Sequence, residues 1–429
     1  MIDINLIRTN PEMVKQNIKN KFQDAKLPLV DKVAALDKQY RELKQEGDNL
    51  RAMRNSLSAQ IGKLMKEKNI EEANKVKEQV KQNNDRTLEI EKQEDELAAQ
   101  IKTIMLSIPN IIDKTVPIGK DDSENVQRLT VGEAKVPNYE IPYHADILES
   151  LNGLDLNSAR RTSGNGFYFL TGDVARLHSA ILSYARDFMI NRGFTYCIPP
   201  FMIRGDVVNG VMSFEEMDNM MYKIEGEDLY LIGTSEHSMI GRFKETIVKE
   251  EDLPICLTSY SPCFRKEVGA HGIEERGIYR VHQFEKQEMI VICKPEDSMT
   301  WYNKMWQISS DFFKSLEIPH EVMECCSGDL ADLKVKSCDI NAWSPRQNKY
   351  FGELGSCSNL TDAQARRLGI RYKTAKGNQF AHTLNNTVVA PPRMLIAFME
   401  NHYNADGSVS IPEVLQPYMG GLKKIEPKK

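Results

Sequence analysis

The sequence predicts an α+β protein, an antiparallel sheet flanked by helices and preceded by a long antiparallel helical coiled-coil arm. Three observations carry that expectation. A heptad pattern occupies most of residues 31–106, short β-rich runs follow one another further on, and neither a G-x-x-x-x-G-K-[ST] loop nor a strand-associated G-x-G-x-x-G is present.

The arm comes first. Val33, Leu36, Tyr40, Leu43, Leu50, Leu57, Ile61 and Leu64 advance in steps of three and four, interrupted by Gly47 and Arg54. Ala73, Val76, Val80, Thr87, Ile90, Leu97, Ile101 and Ile104 repeat the spacing, with Asn83 and Glu94 as polar exceptions. Each helix therefore carries one apolar seam, which it can bury against the other. The KEKNIEE segment at 66–72 breaks the pattern and suits a hairpin. Helices of about 34 residues give an arm roughly 50 Å long at 1.5 Å per residue. Its outer half is basic: Arg51, Arg54, Lys63, Lys66 and Lys68 face only Glu67, and Lys75, Lys77, Lys81 and Arg86 follow on the return helix. A charge run is ordinarily a solvated helix face. It also suits a nucleic-acid backbone, whose charge supplies most sequence-independent affinity.

Pro109 ends the second helix, which closes an N-terminal domain at residues 1–109. Residues 110–145 read as a linker containing Pro117, Pro137 and Pro142, and residues 146–429 as the catalytic domain. In that domain DLYLIGT, ICLTSYSPCF, IYRVHQFEKQEMIVIC and VKSCDINAWSP are β-rich runs. No regular helix of 10–15 residues separates them, which argues for an antiparallel sheet over a doubly wound one.

A chain of 429 residues is long enough for about two or three domains. The balance of 56 basic and 61 acidic residues gives −5, a figure that favours solubility and leaves room for a local basic face. Eight cysteines form no C-x-x-C pair and no cysteine–histidine cluster of zinc spacing, so reduced thiols and no zinc are expected. The N-terminal MIDINLIRTNPEMV has no basic segment followed by an apolar stretch, and no window approaches 18 apolar residues. A cytoplasmic protein without membrane contact is expected.

The chemistry-bearing residues concentrate in PCFRKE (262–267) and RVHQFEKQE (280–288), joined by a polar loop through Arg276 and Gly277. This reads strand–loop–strand, with Arg265, Arg280 and Glu288 converging on one face. Arginine's planar fork grips phosphate or carboxylate in two places, and a carboxylate receives an ammonium. Phe284 beside them is either core or a stacking surface for a base. His237, His271 and His282 are read as structural.

The F-R-x-E…R-x-x-x-F pattern resembles motif 2 of class II aminoacyl-tRNA synthetases. GFTYCIPP (193–200) looks like motif 1, with Pro200 at the dimer interface, and NTVVAPPR (386–393) looks like motif 3. Within that class the chain is most similar to the seryl-tRNA synthetases, on Thr234-Ser235-Glu236, VHQFEKQE, ELGSCSN (353–359), HTLNNT (382–387) and the tail IPE…PYMGG. Thr387 stands where bacterial members usually have serine, and TSEH replaces TAEV; both keep the hydroxyl and carboxylate chemistry.

The resemblance implies a serine–tRNA ligase: ATP activates L-serine to seryl-adenylate, and serine then passes to the 3′ end of tRNA-Ser, with charging of the selenocysteine tRNA left open. It implies that Arg265 contacts the α-phosphate, Glu267 the adenine amino group, Phe284 the ring and Arg393 the γ-phosphate, with Lys266, Val281, Leu354 and Gly355 completing the ATP site. Arg280 would hold the serine carboxylate, Glu288 and the turn Thr234-Ser235-Glu236 the ammonium and hydroxyl, and Asn385 and Thr387 would complete the serine pocket. Glu353 and Ser356 would hold Mg²⁺. The arm, through Arg51, Arg54, Lys63, Lys66, Lys68, Lys75, Lys77 and Lys81, would grip the long variable arm of tRNA-Ser in a homodimer. Two alternatives stay open at this level: a paralogue that loads a carrier protein, which the long arm opposes, and a catalytically dead scaffold, which intact Arg265, Glu288, Glu353 and Arg393 oppose.

Overall fold

An apolar stripe on each of two helices has one economical partner, the other stripe. In the computed structural model, which describes residues 1–267 and 277–428 with only the backbone at Glu215, α1 (Leu27–Lys66) and α2 (Ile70–Ser107) pair in this way. They run for 40 and 38 residues, longer than the heptads alone required. Val33, Leu57, Ala73, Val76, Thr87, Ile90 and Ile101 are buried, and so are Gly47 and Asn83 from the interruptions. At the turn Lys68 takes left-handed backbone (φ 58°), and Asn69 caps α2 by accepting from the Glu72 amide at 3.3 Å. Arg51 reaches Glu91 at 3.4 Å and Arg86 reaches Glu46 at 2.9 Å, so ion pairs cross between the helices. Residues Ile2–Pro109 form one compact unit. Within it Arg8 grips the buried Asp37 at 2.7 and 2.9 Å, fastening the short helix Ile4–Thr9 to α1.

Met1 and the residues from Asn110 onward form the second unit. Its eight-stranded sheet contains β1 (Val126–Val131), β2 (Thr195–Cys197), β3 (Ile255–Phe264), β4 (Gln283–Cys293), β5 (His320–Glu324), β6 (Lys336–Ser344), β7 (Lys349–Thr361) and β8 (His382–Val389). The spatial order is β1-β5-β6-β7-β8-β4-β3-β2, antiparallel throughout except that β2 runs parallel to β3. Strand β1 lies inside the stretch read as linker, where the prolines flank it on both sides. Of DLYLIGT only Tyr230–Leu231 is strand, paired with Met202–Ile203 in a separate two-stranded sheet. Residues 278–282 are not strand, so IYRVHQFEKQEMIVIC begins its strand at Gln283.

The two faces of the sheet have opposite characters. Met289, Val291, Leu384, Val388, Ile340 and Cys357 alternate onto one face. They belong to a core shared with α3 (Gly172–Ile190), α5 (Ser298–Ser315) and the C-terminal α7 (Pro391–His402). On the other face of β4, Phe284, Lys286 and Glu288 precede Ile290 and Ile292. The two isoleucines join a second core with α4 (Ser235–Gly241) and α6 (Ala363–Leu368). Where this face turns from apolar to charged, the second core stops and a cleft begins. All eight cysteines are free, Cys325 and Cys326 both buried. No helix among the described residues is long and apolar enough to cross a membrane.

Candidate active site

The cleft, of about 610 Å³, is lined by Arg265, Glu267, Arg280, Val281, Phe284, Glu353, Leu354, Gly355, Thr387 and Arg393 among the expected residues. Tyr279, Lys286, Ala390 and Pro392 join them unannounced. His271 and Arg276, in the loop between the two arms of motif 2, lie outside the described residues.

Arg265 emerges directly from β3. Its amide donates to His282 O at 2.9 Å, its Nε donates to Gly233 O at 3.1 Å, and its guanidinium lies 5.2 Å from the centre of the Phe284 ring. Backbone and ring thus hold the cation over the cleft. Glu267 and Arg280, expected at adenine and at the serine carboxylate, pair with each other at 3.1 Å. Lys266 turns away from the cleft and donates to Asp218 O at 3.3 Å.

Deeper in the sheet, Glu288 stands opposite Ser259 on β3 and Thr387 on β8. It accepts from Thr234 Oγ1 at 3.1 Å and pairs closely with the buried Lys286. The pair sits on the face that also carries Asn385, two residues from Thr387 along β8. Thr234 caps α4, and Glu236 follows in its first turn. Burial, and then Glu288, push the Glu236 carboxyl up to about 7. Ser235, also expected at serine, is fully buried and shares a 2.7 Å hydrogen bond with Ser259 instead. His237 is buried as well, and burial lowers it to about 3, so it stays neutral at physiological pH.

Glu353 and Ser356 are three residues apart on one strand and would ordinarily face opposite ways. A bulge reverses this. Ser356 pairs with Asp339 and Gly355 with Ile340, but Glu353 pairs with Asn341, which leaves Leu354 as the extra residue. Asp339 and Asn341 share a face, so Ser356 and Glu353 stand opposite positions on that same face. Arg393, from the first turn of α7, donates to both the carboxylate and the carbonyl of Glu353 at 3.2 Å. Burial raises the Glu353 carboxyl, but Arg393, Lys334 and Arg265 outweigh it and hold the group below its ordinary value. Asp339, pushed up to about 7 by burial and by Glu353, lies beside Ser356. Two hard-oxygen donors aligned by the bulge, next to arginines that attract phosphate, are a donor set that Mg²⁺ accepts.

Sequence reasoning missed Tyr279. Its ring stacks on Phe351 at 5.6 Å and supports the Arg393 guanidinium at 5.0 Å. The only sequence signal was its place one residue before Arg280. On the arm, Arg54, Lys63, Lys66, Lys68, Lys77 and Lys81 are exposed and without an ion pair among the described residues. Lys75 is exposed and pairs with Glu71 and Glu72, while Arg51 pairs with Asp48 and Glu91.

An antiparallel sheet with an arginine on the strand leaving its charged face and a second arginine entering a C-terminal helix, in a sequence without the G-x-x-x-x-G-K-[ST] motif, defines the class II aminoacyl-tRNA synthetase core. Residues 220–402 match the family described as tRNA synthetase class II core domain (G, H, P, S and T), and residues 1–112 match the Seryl-tRNA synthetase N-terminal domain. The chain belongs to the seryl-tRNA synthetase family. It is 40% identical to a "Serine--tRNA ligase" of Thermococcus onnurineus, spanning 100% of this chain and 97% of that one, and 38% identical to one of Methanoregula boonei, spanning 98% and 99%. Among solved structures it resembles seryl-tRNA synthetase from Pyrococcus horikoshii complexed with ATP, with TM-score 0.94, 38% identity and 100% of both chains covered. It also resembles the cytoplasmic serine-tRNA ligase from Naegleria fowleri in complex with AMP, with TM-score 0.89, 33% identity and coverage of 100% and 99%.

Proposed function

We propose that this chain activates L-serine with ATP and esterifies it to the 3′ end of tRNA-Ser. The observation that carries the reading is the single cleft in which Arg265, Arg393 and Glu353 adjoin the Thr234–Glu288–Lys286 cluster, in a chain related to serine–tRNA ligases over its whole length.

A carboxylate oxygen of serine attacks the α-phosphorus of ATP; an O–P bond forms, the bond to the β-phosphate oxygen breaks, and pyrophosphate leaves. Arg265, fixed by its backbone contacts, meets the charge on the α-phosphate, and Arg393 receives the far end of the triphosphate. Phe284 offers its ring to adenine. Glu236 and Glu288 receive the ammonium, and Thr234 and Thr387 place hydroxyls beside it. Glu353 and Ser356 would hold Mg²⁺, which when bound supplies further positive charge to the phosphates. A ribose hydroxyl of the tRNA then attacks the seryl carbonyl and AMP leaves. The residues act by positioning and by charge, and no protein nucleophile is required.

The arm is assigned to the variable arm of the tRNA, on its exposed Arg54, Lys63, Lys66, Lys68, Lys75, Lys77 and Lys81. A homodimer through residues 193–200 is supported by the sheet-edge position of β2 and by Ile198, which is 67% exposed. The setting is the cytoplasm. ATP–pyrophosphate exchange run with each of the twenty amino acids, followed by charging of tRNA-Ser, tests the reading. Exchange with serine alone, then seryl-tRNA, is expected. Exchange with none, or with glycine or alanine instead, overturns it.

A further inference from the structure

Gln364 lies outside every motif. It is fully buried in α6, on the segment TDAQARRLG, yet one of its amide hydrogens reaches a carboxylate expected at serine. Its Nε2 donates to Glu236 Oε1 at 2.7 Å and to Val211 O at 3.1 Å, and its Oε1 accepts from Thr383 Oγ1 at 2.6 Å. The Val211 carbonyl can only accept, so the amide is held amino end toward Val211 and Glu236. Thr383 is then obliged to donate, and no second orientation satisfies all three partners. Thr383 is itself fully buried in β8, four residues before Thr387.

We propose that Gln364, locked by Thr383, is a positioning residue that orients the Glu236 carboxylate toward the substrate ammonium and hydroxyl and so sets the affinity for serine. This rests on the reading of the cleft given above. The physical case is one of pre-organisation. Glu236 is half-buried beside Glu288, a like charge, and a carboxylate in that setting gains by turning away or by taking up a proton. The charged groups facing it are Glu288, Lys286 and Lys334; the two lysines and the Gln364 amide favour its ionised form, and Glu288 opposes it. A neutral amide from a rigid helix adds direction to the attraction that the lysines supply, because its donor geometry is fixed whereas an ammonium tolerates many.

The test compares Gln364→Met, which keeps the volume and removes both polar ends, with Thr383→Val and Thr383→Ser. In serine-dependent ATP–pyrophosphate exchange, Gln364→Met should raise KM for serine about 10- to 100-fold, the scale of one lost hydrogen bond to a charged group, with KM for ATP unchanged. In the same variant the acid limb of kcat/KM for serine should move to higher pH, because the amide that favours the ionised Glu236 carboxyl is gone. Thr383→Val should act in the same direction and Thr383→Ser should behave as the unaltered chain. Thr383→Val also covers the case in which Gln364→Met does not fold. Unchanged KM for serine, parallel loss for serine and ATP, or an unmoved pH limb overturns the inference. Absence of serine exchange in the unaltered chain overturns the parent reading instead, so the two failures are separable.

Discussion

The same pair of residue types, lysine and glutamate, meets in two parts of the molecule under opposite conditions. On the arm Lys75 approaches Glu72 at 3.2 Å with side chains 61% and 48% exposed. In the sheet Lys286 pairs with Glu288 with side chains 8% and 2% exposed. Water screens the first pair and leaves its partners free to exchange, so such charges contribute mainly a field at the surface. The second pair lost its water on folding, and each charge now depends on the other. On the proposed reading the arm acts by attraction at a distance, which depends on its charge more than on any one contact. The charges of the cleft are instead fixed in place, so on the same reading a substrate meets them already oriented.

Variants that break this contrast fall in order of effect. Arg265→Ala should lower serine-dependent exchange by about 10²–10³-fold, the cost of removing a preorganised group from developing charge. Circular dichroism should be unchanged, since among the described residues the side chain's own hydrogen bond is that to Gly233 O; retention of exchange within tenfold would remove Arg265 from the reaction. Lys286→Met leaves Glu288 buried without its cation and should cost about 3–5 kcal/mol in urea unfolding, and a loss below about 1 kcal/mol would mean the pair is as weak as a surface one. Replacing Lys63, Lys66 and Lys68 together by alanine should reduce kcat/KM for tRNA at low salt and flatten its dependence on salt by about two to three units of log–log slope, with serine exchange unaffected. An unaltered salt slope would take the arm tip out of RNA binding. Smallest of all, Lys75→Ala should shift stability by less than about 0.5 kcal/mol.

How much of this was legible depends on the range of the interaction responsible. The arm was legible almost residue by residue, because a seam of period 3.5 between neighbouring helices is a local pattern. Its polar interruptions proved to be parts of the seam, Gly47 and Asn83 both lying inside it. The strands at 255–264 and 336–344 were legible from β-rich composition, whereas residues 278–282 looked like strand and are not, since the chain there turns back to bring Tyr279 and Arg280 into the cleft. Among expected site residues, Arg265, Arg280, Phe284, Glu353, Thr387 and Arg393 do line one cleft. Thr234, Glu236, Glu288, Asn385 and Ser356 are not among its lining residues, and neither are Lys266 and Ser235, which turn away because adjacent residues on an extended chain or a helix start point in different directions.

Sequence by itself determined the fold class, the arm and the family, because periodicity, turn residues and short motifs are each carried by consecutive positions. Tertiary structure decided which side chains act together. The bulge at Leu354 brings Glu353 and Ser356 onto one face, the Tyr279–Phe351 stack supports Arg393, and the Gln364 amide aims Glu236. Each of these joins segments far apart in the chain through a register or a hydrogen bond whose direction exists only once the sheet has formed, so no local pattern of residues could have announced them.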